Sequence, residues 1–298
     1  MPVNPHPLRD VWVVRCAGEH VYPDTGFRIN APDGFFTHPA LSPDGTRIAF
    51  WGGQENSARV WLGDLATNEA YPLTPGWGVS GHPAWAPDSQ RIAFFRNPLR
   101  SPGALFPPWG ENESNYSPRD IWVIDVRTGV ETQITQDDRD NERPAWSPDG
   151  ERIAYVSREG RFKNLWVIEL ATGAARPITV EELILYRPAW HPDGTRLAFN
   201  NKGAGDHSLW SVDIDGSNLI RITSPGASTG AVHDHGPFWS RDGEEILFHS
   251  DRGARWGIWI VGASGDNLRP VELAGFPQAA HASWNREETL MGFDAPRE

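Results

Sequence analysis

The chain has 298 residues, 39% hydrophobic and 22% charged, the composition of a folded globular protein, and its 30 Gly and 26 Pro make it rich in turn formers. A formal net charge of -12 argues against general nucleic-acid binding, which needs clustered cations to displace condensed counterions. The single Cys16 excludes an intramolecular disulfide, and no apolar run suits a membrane span or a signal peptide, so a cytoplasmic protein without membrane insertion or nucleic-acid partner is expected.

The first predicted elements are two strands near the N-terminus. "RDVWVVRC" centres on Trp12, and Thr25 closes the next segment thirteen residues on. From His38 the pattern changes: "HPALSPDGTRIAF" reads as strand, turn, strand. Pro presets φ for the turn, Asp bonds its own backbone, and Gly accepts the left-handed geometry that follows. The segment returns from His82, Arg143, Arg187, Gly236 and His281, at intervals of 44, 61, 44, 49 and 45 residues. Asp44, Asp88, Asp149, Asp193 and Asp242 are therefore read as turn residues. Ser89 replaces the Gly in the second copy, and the sixth copy, "NREE", has lost the signature.

A third strand follows each of the first five hairpins, marked by Trp61, Trp122, Trp166, Trp210 and Trp259. A fourth ends thirteen residues later, at Thr74, Thr135, Thr179, Thr223 and Glu272. Four short strands in about 45 residues match one blade of a β-propeller. The sixth copy runs out before its third strand, because twenty residues beyond Trp284 falls past the last residue. The N-terminal strands carrying Trp12 and Thr25 supply what it lacks. The expected fold is all-β: one six-bladed β-propeller domain over residues 1–298, four strands per blade, its last blade closed by N-terminal outer strands and C-terminal inner strands. Eleven of the fifteen Trp fall in two repeat columns and are read as packing between blades. Trp51, Trp77, Trp109 and Trp256 lie outside those columns and are freer to meet a ligand.

The innermost strands begin with His38, His82, Arg143, Arg187, the pair His235 and Gly236, and His281. Six equivalent positions about a pseudo-sixfold axis point toward one opening. The loops before the fifth and sixth hairpins add His233, Asp234 and Gln278. Neutral imidazoles converging on a point can hold a divalent metal such as Mn, Zn or Ca, which makes His38, His82, His233, His235 and His281 the metal candidates. Arg143 and Arg187 would clamp a carboxylate or phosphate, or else pair with Asp137, Asp138, Asp140 or Glu142. No glycine loop of the phosphate-cradling kind appears, and no organic cofactor is expected. Blade two carries 17 extra residues between its second and third strands. This stretch, residues 95–120, is an extended Pro- and Gly-rich loop on the same face, either a lid or a passive excursion, with Phe106 and Trp109 as ligand-binding candidates.

The W-S-P-D-G-x-x-I-A-F hairpin, followed by L-W-V-I-D and a closing I-T, resembles the repeat of TolB-type propellers, also seen in the propeller domains of prolyl oligopeptidase relatives. The resemblance covers nearly the whole chain and implies the fold without a single function. The signal peptide and extra N-terminal domain of TolB, and the peptidase domain of the oligopeptidases, are not visible in the sequence. "HDH" at 233–235 and "QAAH" at 278–281 also resemble motifs of the oligogalacturonate lyase family, propellers that hold manganese at the axis. That likeness implies His82, His235, His281 and Gln278 as metal ligands. Arg143 or Arg187 would then act catalytically, assisting proton removal or binding the acid group during β-elimination.

Two functional expectations result. A non-catalytic binding propeller, recognising a small anionic ligand or a protein partner at the central channel mouth, ranks first because no nucleophile turn or other strong catalytic signature is present. The alternative is a metal-dependent lyase acting on uronate-containing oligosaccharides. Whether the chain is an enzyme is open at this point.

Overall fold

A computed structural model describes residues 8–17, 20–32, 34–53, 58–76, 79–97, 118–180, 185–202, 207–224, 232–253, 255–276 and 278–296. Phe106, Trp109 and Trp77 lie outside these residues, as does most of the predicted 95–120 loop. Its ends, however, belong to strands.

The described residues form 24 strands, numbered in chain order, in six antiparallel four-stranded sheets. Each hairpin supplies the two inner strands of a blade: β3 (Phe35–Leu41) with β4 (Arg47–Gly53), β7 (Val79–Trp85) with β8 (Arg91–Asn97), and β11 (Asp140–Trp146) with β12 (Arg152–Glu159). Around the ring follow β15 (Leu185–Trp190) with β16 (Arg196–Lys202), β19 (Asp234–Trp239) with β20 (Glu245–Ser250), and β23 (Ala280–Trp284) with β24 (Leu290–Pro296). We call these blades one to six.

The turn chemistry is as the residues require. Asp44, Asp149 and Asp242 each accept a hydrogen bond from the Ser two residues before, and Asp88 and Asp193 accept the amide two residues on. The residue after each of these Asp has positive φ, glycine in four turns and Ser89 in the fifth. The threonine column has an equally local cause. Oγ1 of Thr74, Thr135, Thr179 and Thr223 accepts the amide of Val60, Ile121, Leu165 and Leu209 at 2.9–3.1 Å, satisfying a third-strand N–H just where the short outer strand stops pairing.

The last blade has the order β2-β1-β24-β23, with β1 (Arg9–Ala17) and β2 (His20–Arg28) outermost. Arg9 to Arg15 pair in unbroken register with Pro296 to Leu290, and Trp12 lies opposite Phe293. The ring therefore closes through hydrogen bonds between the chain's two ends. β2 continues past Thr25 to Arg28, because the register shifts between Val13 and Arg15, and Thr25 Oγ1 accepts the Arg15 amide at 2.8 Å.

Tryptophans sit between blades as expected. Trp85, Trp146, Trp190, Trp239 and Trp284 are buried, and the indoles of Trp85, Trp190 and Trp239 donate to the carbonyls of Ala40, Ala145 and Ala189 in the preceding inner strand. Trp51 corrects the reading of the outliers. It is buried against the rings of His38 and His82, at 5.6 and 5.2 Å, and is a wall of the core. Cys16 is a buried thiol, pushed up to about 12 by desolvation first and by Glu288 second.

Candidate functional site

Every innermost strand breaks its ladder at the same place. Register shifts fall between Thr37 and Ala40, Gly81 and Ala84, Glu142 and Ala145, Tyr186 and Ala189, His235 and Phe238, and Ala280 and Ser283. One cause is in the sequence: in five of the six copies a proline sits inside the shift and has no N–H to give the ladder. At the bulge, His38, His82, Arg143, Arg187, Gly236 and His281 all adopt φ between 51° and 62°. Left-handed backbone costs a side-chain-bearing residue about 1–2 kcal/mol, and five of these six pay it while turning a His or Arg toward the axis.

Gly236 resolves the ambiguity of blade five. It holds the bulge position, and His235 precedes it. A Cβ at 236 would stand 2.6 Å from Arg187 Nη1 and 3.3 Å from His249, so the missing side chain is the space into which Arg187 reaches from the neighbouring blade.

The ring of bulge residues separates two spaces. Below it a channel of about 580 Å³ runs between the Pro-Ala-Trp segments; above it, on the face where the inner strands begin, lies a cavity of about 430 Å³. His38, Arg143, Arg187 and His281 line both. Arg9, His207, His235, His249 and Trp256 contribute to the upper cavity, with Tyr186 and Asn200. No carboxylate lines it among the described residues.

Seven of the ten histidines form one arc of touching rings. From His82 it passes to His38 at 4.6 Å, His281 at 3.9 Å, His249 at 4.5 Å, His235 at 5.4 Å, His207 at 4.5 Å and His233 at 5.0 Å. Desolvation is the first cause that holds His82, His249 and His281 well below the ordinary imidazole value and takes His235 down to about 3, with neighbouring Arg and His charges adding to it. These rings are neutral at pH 7. The Nδ1 atoms of His82 and His249 are buried without a hydrogen-bond partner.

Asp294 organises one end of the arc. Its carboxylate accepts Thr37 Oγ1 at 2.6 Å, the His38 amide at 3.0 Å, His281 Nδ1 at 2.7 Å and the Arg9 Nε–H. Burial is the largest influence on it and raises its pKa, against the lowering pull of Arg9. His38, His281 and Asp294 bring their ligand atoms within 4.8 Å of one another. Two imidazoles and a carboxylate are a donor set that suits a divalent cation. The other metal candidates stand elsewhere. His82 adjoins His38, His235 contacts His207 through Nε2 and Nδ1 at 2.9 Å, and His233 bonds Asp251 through Nδ1 at 2.7 Å. Gln278 is exposed, with φ of 60°, and its carbonyl accepts Arg9 Nη2 at 2.8 Å. Asp234 is buried and structural, accepting from Arg252 and Thr223.

The two arginines differ from their surroundings. Asp140 pairs with Arg119 and Arg158, and Asp137 with Arg139. Glu142 stands 3.9 Å from Arg143 Nε but gives its oxygens to Lys163 and Arg119 at 2.7 and 2.8 Å. Arg143 Nε is buried without a hydrogen-bond partner, and the guanidinium lies 5.4 Å from the Tyr186 ring. Arg187 donates no hydrogen bond to a described residue; the opposite charge acting on it is Asp294, which Arg9 already neutralises. Desolvation lowers Arg187 to about 10. Lys163 and Arg252 are held in ion pairs with Glu142 and Asp234.

Sequence reasoning missed a second ring. The residue after the aromatic of each second strand is Trp51, Phe95, Val156, Asn200, His249 and Asp294, around the six blades in order. Blades one to three are apolar there, while four to six are polar. Reading the repeat one column further would have found His249 and Asp294.

The molecule is thus a six-bladed propeller with a cationic and histidine-rich axial cavity. Residues 111–294 match the TolB beta propeller domain, and the chain belongs to that family. A structure named as a TolB from Agrobacterium tumefaciens is 16% identical, covering 98% of this chain and 99% of its own, with a TM-score of 0.75. TolB from Acinetobacter baumannii is 18% identical over 100% of this chain and 66% of its own, with a TM-score of 0.65. An oligogalacturonate lyase in complex with manganese is 16% identical over 92% and 81%, with a TM-score of 0.60. At such identities the likeness shows the fold. No curated protein matches the chain.

Proposed function

We propose that this chain is a non-catalytic binding propeller whose channel mouth takes a small, oxygen-rich anion. The observation that carries the reading is Arg187, a guanidinium turned into a cavity whose described lining has no carboxylate and which itself has no hydrogen-bond acceptor among the described residues. A cation held there is stabilised by an anion that completes its bonds. Neutral imidazoles and the Asn200 amide serve the ligand's remaining oxygens, and Trp256 offers a flat apolar wall. A protein partner would reach the same guanidiniums through an acidic side chain. Titration calorimetry with malonate and inorganic phosphate at low ionic strength tests the reading. Binding that is lost in Arg187→Gln supports it; binding unchanged in that variant, or absent from the unaltered protein at millimolar ligand, removes it.

A second reading, a metal-dependent lyase on uronate-containing oligosaccharides, is favoured by the His38, His281 and Asp294 group and by the manganese-bound lyase among the structural neighbours. A divalent cation at that group would supply Lewis acidity toward a uronate carboxylate, while Arg143 or Arg187 holds the acid group. Elemental analysis of protein purified without added metal, together with ultraviolet detection of unsaturated uronate products, tests this reading. Metal-free protein that releases no such product from several polyuronates excludes it.

A further inference from the structure

The charge of the ligand is written in how the cavity's own cations are neutralised, given the anion-binding reading above. Arg9 is matched: its Nε–H goes to the Asp294 carboxylate, and the carbonyls of Asp294 and Gln278 accept its Nη2 at 2.9 and 2.8 Å. Arg143 is under-matched, since Glu142, its nearest carboxylate, has both oxygens engaged more closely by Lys163 and Arg119. Arg187 depends on Asp294, already committed to Arg9. These two guanidiniums occupy equivalent bulge positions on adjacent blades and line the same space. The same space is lined by Asn200, His235 and His249, which offer hydrogen bonds without charge.

We propose that the cavity is built for a compact dianion, a phosphate monoester or a dicarboxylate, whose charge Arg143 and Arg187 share while its remaining oxygens face Asn200 and the imidazoles. A monoanion would leave one of the two half-buried guanidiniums without counter-charge. The lowered values of Arg143 and Arg187, each caused first by desolvation, agree with cations short of counter-charge. Lys163 sets the count. It is buried, bonds Glu142 Oε1, and lies 4.6 Å from the same Tyr186 ring that Arg143 faces. Without its ammonium, Glu142 has an oxygen to offer Arg143, and one negative charge on the ligand suffices.

The test is titration calorimetry on the full chain at pH 7.5 and low ionic strength with two matched pairs: malonate against its monoamide, and methyl phosphate against dimethyl phosphate. The dianion of at least one pair is expected to bind about tenfold tighter or better than its monoanion, and the pair that responds distinguishes a carboxylate from a phosphate ligand. In Lys163→Gln the ratio is expected to fall toward one, with the monoanion still bound. Equal affinity within both pairs in the unaltered protein overturns the dianion inference and leaves the anion reading standing. Failure of all four compounds to bind overturns both. The unaltered protein decides the matter even where Lys163→Gln does not fold.

Discussion

Replacing Arg187 by Met should make this protein more stable. Burial takes the Arg187 guanidinium down from its ordinary value to about 10. A lowered value for a base means that the folded state disfavours the charged form, so the penalty is present at every pH below the folded value and fades above it. The shift corresponds to about 3 kcal/mol at pH 7, and screening by water in the cavity reduces this to about 1–2 kcal/mol. Methionine has similar length, carries no charge and packs against the same walls. For a chain of this size the gain corresponds to a rise of roughly 2–3 °C in Tm. Differential scanning calorimetry in a buffer free of multivalent anions reads it directly, and added malonate or phosphate should raise the Tm of the unaltered protein but not of the variant. A Tm that falls by several degrees in Arg187→Met would show that the guanidinium has a structural acceptor and that the cavity is not waiting for an anion.

Gly236→Ala places a Cβ at φ of 62° and 2.6 Å from Arg187 Nη1, the movable end of a long side chain. It should cost about 1 kcal/mol of stability and weaken anion binding about tenfold, and calorimetry showing full affinity would contradict the placement of Arg187. Arg9→Ala leaves the Asp294 carboxylate buried beside the ring closure without its cation, and urea unfolding should register a loss of about 3–5 kcal/mol. A loss below about 1 kcal/mol would mean that the closing sheet does not depend on this pair. Stability should also fall in mild acid. Burial holds His82, His235, His249 and His281 below the ordinary imidazole value of 6.5, so their contribution is intact above 6.5 and is lost as the unfolded chain takes up protons below it. Each contributes about 1.4 kcal/mol per pH unit, and melting curves from pH 7.5 to 5.5 that stay flat would refute the neutrality of these four buried rings.

The blade count and the closure were legible because each rests on chemistry repeated at a fixed interval. Ser-Pro-Asp-Gly makes the same turn wherever it occurs, and Trp284 without a third strand downstream points to Trp12 as surely as any contact. The bulge ring was legible for the same reason: His38, His82, Arg143, Arg187 and His281 share one column. Blade five showed the limit. Alignment left His235 and Gly236 as a pair, and only backbone geometry, with Arg187 filling the space beside Gly236, separates them. Asp294 and His249 were harder to see because their importance comes from what the ring closure brings to them. Asp294 lies 285 residues from Arg9 and 257 from Thr37, and no local pattern announces such partners. Trp51 misled for a related reason, since it stands in the second ring, where blades one to three close the cavity with apolar side chains.

Anomalous diffraction from crystals soaked in selenate, a compact dianion, shows whether the axial cavity takes such an anion between its two arginines. A selenium peak is expected in the axial cavity within hydrogen-bonding reach of the guanidiniums of Arg143 and Arg187. Selenium confined to surface lysines and arginines, with the cavity empty at high soak concentration, would contradict it.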